Sequence, residues 1–176
     1  MTDVAIERSG APFARGKSVQ TYGTPRDFLV AVEHRFGPLA WDLAATAENA
    51  RAPLYFGPDK DNEALRDALA FDWNKLRGTM WLNPPFGHIA PWAAKCAATR
   101  LLEGSRILLL VPASIGANWF AEHVHQRAYV LALQGRLTFD GHTQSFPKDL
   151  ILAVYGWGPG FGVWSWRDDA NAAVAP

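Results

Sequence analysis

The run Arg106-Ile107-Leu108-Leu109-Leu110-Val111-Pro112 constrains the fold more than any other stretch of this chain. A strand with one face in water alternates apolar and polar residues, so a strand apolar at every position must be covered on both faces. Such strands lie inside sheets that carry helices on both sides. The apolar stretch from Ile107 to Val111 is strand-sized, far below the ~20 residues that cross a membrane, and no membrane association is expected.

The flanking sequence fits that layered arrangement. In TPRDFLVAVEHRFG, Thr24 is placed to cap a helix whose first position is Pro25; Phe28, Leu29, Val32 and Phe36 recur at helical spacing, and Gly37 stops it. PLAWDLAA reads as a short buried strand entering a tight turn. APLYFG (52–57) reads as a second strand, followed by the acidic loop Asp59 to Asp61 and a short helix around Glu63 to Leu69. GTMWL (78–82) is a third strand that runs directly into NPPFG, and a helix from about Ile89 to Leu102 follows. Beyond the 106–112 strand come a helix over about Ala117 to Gln126 and the strand AYVLAL (128–133). GRLTF, the loop GHTQSFPKD and LILAVYG (150–156) then give further strands with no helix between them, and Trp164 and Trp166 alternate as one face of a last strand.

Strands alternating with helices predict a doubly wound, mostly parallel α/β sheet, and the helix-free ending predicts an antiparallel C-terminal hairpin. In this class ligands sit at the carboxyl ends of the strands. Residues 1–20 are polar and aperiodic and read as a flexible arm carrying Arg8, Arg15 and Lys17, ahead of a single domain over residues 21–170. That N-terminus lacks the apolar centre of a secretory signal, so a cytoplasmic location is expected. The one cysteine, Cys96, excludes an internal disulfide and reads as a small core residue. His123 and His125 are two apart in an expected helix and point to different sides, so no metal site is expected.

Asn83-Pro84-Pro85-Phe86 is the stretch that carries chemistry. An amino nitrogen on adenine is a poor nucleophile because its lone pair is delocalised into the ring. Two acceptors on its two hydrogens, the Asn83 side-chain oxygen and the Pro84 carbonyl, localise and aim that lone pair. The prolines fix the backbone and hold the carbonyl direction. Phe86 offers a flat face to a base, and such stacking contributes about 1–3 kcal/mol, comparable with the cost of unstacking the base from a duplex. Asn before a double proline is also ordinary turn chemistry. That reading leaves unexplained the aromatic fourth position and the strand MWL directly ahead.

Trp41-Asp42-Leu43-Ala44-Ala45 ends the first strand. A nucleoside cofactor needs small residues where that turn approaches it, here Ala44 and Ala45 in place of glycines. It also needs a carboxylate about twenty residues on for the ribose hydroxyls, where Asp59 and Asp61 stand. The alternative is that these are ordinary strand-end carboxylates.

In order and spacing, Thr24-Pro25, Phe36-Gly37, Trp41 to Ala45, Asn49, Tyr55, Asp61, Asp72-Trp73, Trp81 to Gly87 and Trp92 resemble the phage-type DNA N6-adenine methyltransferase (Dam) family. Leu110-Val111-Pro112, Gly135 to Phe139 and Ser145-Phe146-Pro147 resemble it too, so the likeness covers about residues 20 to 155. It implies a Rossmann-like methyltransferase fold, S-adenosyl-L-methionine as cofactor and double-stranded DNA as substrate, in a bacterial or phage-infected host cell. Carried over by position, Thr24 and Pro25 resemble the element at the methionine end of the cofactor, and Asp42 the first-strand acid. Asp59 or Asp61 resembles the ribose carboxylate, Asp72 the residue at the cofactor's adenine, and Asn83 to Phe86 the catalytic motif. The stretch between Asp42 and Asn83 is shorter than in large methyltransferases, so the third strand is expected as a stub. Arg136, His142, Ser145 and Lys148, around the GHTQSFPKD loop, are the expected DNA contacts; the alternative is a solvated surface.

The chain carries 17 basic and 17 acidic residues, a formal net charge of zero. Phosphate neutralisation supplies most of the affinity of a DNA wrapper, so this balance implies a small footprint and a short or relaxed target. The same two-acceptor geometry also suits an amino group in RNA or a protein glutamine, and a catalytically silent binding module is a further class. The sequence leaves the oligomeric state unassigned.

Overall fold

In the computed structural model, which describes residues 23–174, the 106–112 run lies in the middle of a seven-stranded mixed sheet. Ile107, Leu109 and Val111 enter one core cluster and Leu108 and Leu110 the other, all fully buried. Both faces are therefore covered, and full burial of each such side chain contributes about 1.5–3 kcal/mol.

The elements run α1 (Arg26–Phe36), β1 (Leu39–Asp42), β2 (Leu54–Tyr55), β3 (Thr79–Leu82), α2 (Ala90–Ala98), β4 (Arg106–Pro112), α3 (Asn118–His123), β5 (Tyr129–Leu133), β6 (Leu150–Tyr155), β7 (Gly160–Trp164) and α4 (Trp166–Ala173). Single 3-10 turns at Glu63–Leu65 and Trp73–Lys75 fill the span between β2 and β3. The sheet order is β2-β1-β3-β4-β6-β5-β7. Strands β2, β1, β3 and β4 are parallel, β6 is antiparallel to both β4 and β5, and β7 is parallel to β5. Helices α1 and α4 pack on one face, where the Phe28 and Trp166 rings meet edge to face at 5.3 Å, while α2 supplies Ala93 and Cys96 to the other. This is the doubly wound α/β arrangement. The chain steps from β1 outward to β2 and then returns past β1 to β3. The direction of winding therefore reverses between β1 and β3, where this class opens its ligand crevice.

Several local expectations are corrected. GRLTF is not a strand: Leu137 accepts from the Phe146 amide while Asp140 pairs with Gly23, so its bonds go to separate partners and no ladder forms. The ending is not helix-free, because α4 follows β7 and Trp166 is its first residue rather than a strand position. Pro25 is the residue before α1 rather than its first, and Thr24 does not cap the helix. Helix α2 stops at Ala98, where Thr99 turns its hydroxyl back to the Lys95 carbonyl and the Arg100 amide is taken by Asn74. The third strand is not a stub: β3 runs four fully buried residues, Thr79–Leu82, and the short strand is β2, two residues long at the edge of the sheet. The arm over residues 1–20 lies outside the described residues.

Candidate active site

Four segments meet at the carboxyl edge of β1, β3 and β4. They are the crossover after β1, the NPPF turn after β3, the approach to α1 and the loop that leads into β6. The last arrives there because β6 is antiparallel to β4: Leu150 pairs with Pro112, and the Ala113 amide donates to the Asp149 carbonyl at 2.9 Å.

The crossover is shaped by Asp42. It ends β1, is 3% exposed, and its two oxygens accept from the backbone amides of Ala44 (3.2 Å) and Arg51 (3.0 Å). Burial pushes its carboxyl up to about 6, outweighing the two amides and the Arg51 charge, which pull the other way. Asp59 closes the same crossover from the far side. Its carboxylate accepts from the Ala47 amide at 2.7 Å and the Tyr55 hydroxyl at 3.2 Å. The Ala47 amide, chief among these contacts, holds its pKa below the ordinary aspartate value. Gly57 is required where the two loops touch, because a Cβ there would lie 2.0 Å from the Ala45 carbonyl oxygen. Among the described residues no hydrogen bond or ion pair engages the Asp61 carboxylate, which is exposed.

Asn83 follows β3 directly. Its amide nitrogen donates to the Thr24 hydroxyl at 3.2 Å, and Thr24 is 2% exposed. With the nitrogen turned to Thr24, the carbonyl oxygen is the end of the amide with acceptor capacity toward an amino group. Pro84 is buried, and the His88 amide donates to the Pro85 carbonyl at 3.0 Å, which closes the turn. The Phe86 ring stands 5.9 Å from Phe139 and 5.4 Å from Phe146, both edge to face. Beside it opens a cleft of about 820 Å³, lined by Phe86, Ile89, Pro112, Ser114, Trp119 and Lys148 among others. That volume is in the range of small-molecule sites.

The positions singled out in the sequence separate clearly. Thr24, Pro25, Asp42, Ala44 and Asn83 to Phe86 are brought to this edge, with Asp59 and its loop bonded to the crossover. Asp72 is not. Its carboxylate accepts from the amide and side chain of Asn74, whose own oxygen takes the Arg100 amide beyond the last turn of α2, at the opposite end of the sheet. The four positions expected to contact DNA, Arg136, His142, Ser145 and Lys148, share the exposed stretch ahead of β6. Lys148 lines the cleft, Arg136 pairs with Asp149 at 3.5 Å, Ser145 bonds the Thr138 hydroxyl, and the His142 amide donates to Phe139. Sequence reasoning missed Phe139, which backs the Phe86 ring, and Phe146 and Trp119, which wall the cleft, and missed Arg51 and Asp140, which form an ion pair beside Gly23. An aromatic on each side of a polar loop was the available signal for the first two.

Cys96 is buried in the core, which pushes its thiol pKa up and away from reactivity. Among the described residues no helix is long and apolar enough to cross a membrane, and no three His, Cys, Asp or Glu side chains are grouped to hold a metal.

The family model of DNA N-6-adenine-methyltransferase (Dam) matches residues 15–150. A DNA N-6-adenine-methyltransferase of Escherichia phage T1 is 27% identical over 132 residues, covering 75% of this chain and 52% of the phage protein. The chain thus spans about half the length of that relative. A solved structure described as a predicted O-methyltransferase from Agrobacterium tumefaciens is 16% identical, with a TM-score of 0.43 over 85% of this chain and 96% of that one. The family match runs through the Asp42 crossover, Asn83 to Phe86 and the loop before β6, and the chain belongs to the DNA N6-adenine methyltransferase (Dam) family.

Proposed function

We propose that this protein transfers a methyl group from S-adenosyl-L-methionine to the exocyclic N6 of adenine in double-stranded DNA, at a short or relaxed target. The observation that carries the reading is the Asn83 amide, held by buried Thr24 at the winding reversal, with Phe86 and an open cleft beside it.

The residues at the crossover fit the cofactor. Small side chains at Ala44 and Ala45 leave room above the turn, and the acidic loop after β2 supplies a carboxylate for a ribose diol. Asp61 is our assignment for that carboxylate, since Asp59 is engaged in closing the crossover. Thr24 and Pro25 would flank the methionine end. When bound, the cofactor supplies a methyl group on a positively charged sulfur. The chain's part is to receive the base and aim its nitrogen. The Asn83 oxygen and the Pro84 carbonyl accept from the two amino hydrogens and draw the nitrogen lone pair out of ring conjugation. Phe86 stacks the base, and Phe139 and Phe146 keep that ring in place. Arg136, His142, Ser145 and Lys148 would face the duplex from the loop before β6, and residues 21–170 would serve as one methyltransferase domain.

Incubation with labelled cofactor and separate DNA, RNA and protein substrates tests the reading. Label transferred to adenine in DNA is the expected result. Transfer only to RNA or to a protein glutamine, or none to any substrate, would overturn it.

A further inference from the structure

Arg51 and Asp140, far apart in sequence, meet in an ion pair at the mouth of the site, and nothing in the methyl-transfer reading uses them. The Arg51 guanidinium is set deep: its side chain is 21% exposed, and its Nε is buried with no hydrogen-bond partner. A buried donor left unpaired costs about 1–3 kcal/mol, so such a group marks a place where a ligand atom is missing. Its backbone is fixed as well, because the Arg51 amide donates to Asp42. Asp140 is held through its own backbone, whose amide donates to the Gly23 carbonyl at 2.9 Å. Gly23 leaves the space the pair occupies: a Cβ there would stand 3.0 Å from an Arg51 nitrogen and 3.1 Å from Asp140.

The pair's position gives it a use. Gly23 touches the ion pair, and the next residue, Thr24, holds Asn83. The pair therefore packs against the residue next to the one whose hydroxyl holds Asn83. In an S-adenosylmethionine molecule the α-carbon is two methylene groups from the sulfur, so its amino-acid end lies close to the transferred methyl group. That α-carbon carries a carboxylate and an ammonium group. A guanidinium beside a carboxylate is the charge complement of this zwitterion, and guanidinium–carboxylate bonds are among the stronger, more directional polar contacts.

We infer that the Arg51–Asp140 pair receives the amino-acid end of the cofactor, Arg51 taking its α-carboxylate and Asp140 its α-ammonium. This rests on the proposed use of S-adenosylmethionine and adds the residues that read the methionine end.

The test is titration calorimetry on the protein without DNA, using S-adenosylhomocysteine and 5′-methylthioadenosine. The second ligand keeps the adenosine and thioether but has no amino-acid end. Arg51→Gln and Asp140→Asn should each weaken S-adenosylhomocysteine about tenfold to a hundredfold, the range for a hydrogen bond to a charged group, and leave 5′-methylthioadenosine unchanged. Arg51→Lys, which keeps the charge but loses the fork, should fall between. The unchanged second ligand also shows that the variants are folded. Equal losses for both ligands, or no loss for either, would overturn the inference. Failure of the unmodified protein to bind S-adenosylhomocysteine at all would instead overturn the cofactor reading beneath it.

Discussion

Replacing Thr24 with Val removes one hydroxyl and keeps nearly the same shape at a site 2% exposed. What is lost is the acceptor 3.2 Å from the Asn83 amide nitrogen. A hydrogen bond of this kind contributes about 0.5–1.5 kcal/mol net. If the net ~0.5–1.5 kcal/mol falls on the orientation of Asn83 when the base reacts, the turnover drops about two- to twelvefold, at a tenfold change per ~1.4 kcal/mol. Thr24→Ser keeps the hydroxyl and loses only a buried methyl, so it should recover most of the turnover while costing some stability. The assay is steady-state methylation of DNA with kcat and KM for the cofactor separated, beside thermal unfolding. A domain of this size shifts by about 2–4 °C per kcal/mol. The prediction is that kcat falls for Val, recovers for Ser, and KM moves little. A rise in KM for the cofactor with kcat unchanged would show that Thr24 serves the methionine end alone, and would refute the positioning argument.

Asn83→Ala removes one of the two acceptors and should lower turnover by on the order of a hundred- to a thousandfold, by analogy with deleting one oxyanion-hole donor, with little change in cofactor affinity by calorimetry. Asp42 should make stability fall with rising pH: its folded pKa of about 6 lies above its ordinary 3.8, so between those values the native state binds more protons than the unfolded chain. Denaturant unfolding of Asp42→Asn against the unmodified protein should show a gap that moves in favour of the variant by up to about 3 kcal/mol across that window, and a gap independent of pH would contradict the burial argument. Gly57→Ala should unfold or badly distort the crossover, seen as a large loss in Tm, because its Cβ would overlap the Ala45 carbonyl. Sequencing of methylated sites on a random DNA library should return a short or relaxed target with a shallow salt dependence, and a strict site of six or more base pairs would refute the small-footprint reading.

The legible parts of this chain were those whose signal is local and periodic. Two-sided burial wrote itself into residues 106–112, and the spacing of Phe28, Leu29, Val32 and Phe36 marked α1. The NPPF turn was legible because proline constrains its own neighbours. Helix α4 was missed because only Trp166 is buried among its residues, which leaves almost no apolar stripe to read. GRLTF looked like a strand by composition, but a strand needs a partner, and its bonds go to Phe146 and Gly23 instead. The joining of Thr24 to Asn83 and of Arg51 to Asp140 spans long stretches of chain and exists only once the sheet has formed. No local pattern encodes such pairs.

The connection from β1 to β2 joins parallel strands without a helix, and carboxylates do the fastening that a helical ladder would do elsewhere. Asp42 holds the amides of Ala44 and Arg51, Asp59 holds that of Ala47, and Asn49 folds back on Thr46. The segment's ends are bonded into the sheet through Leu43, Ala45 and Phe56, but its more exposed middle, residues 46–50, hangs on these few ties and opens at a free energy below that of global unfolding. In hydrogen exchange these amides should therefore form their own fast unit, released further as acid protonates Asp59. Affinity for anything that binds over this segment then scales with the fraction of time it is closed, and closure becomes a setting that substitutions far from the ligand can turn.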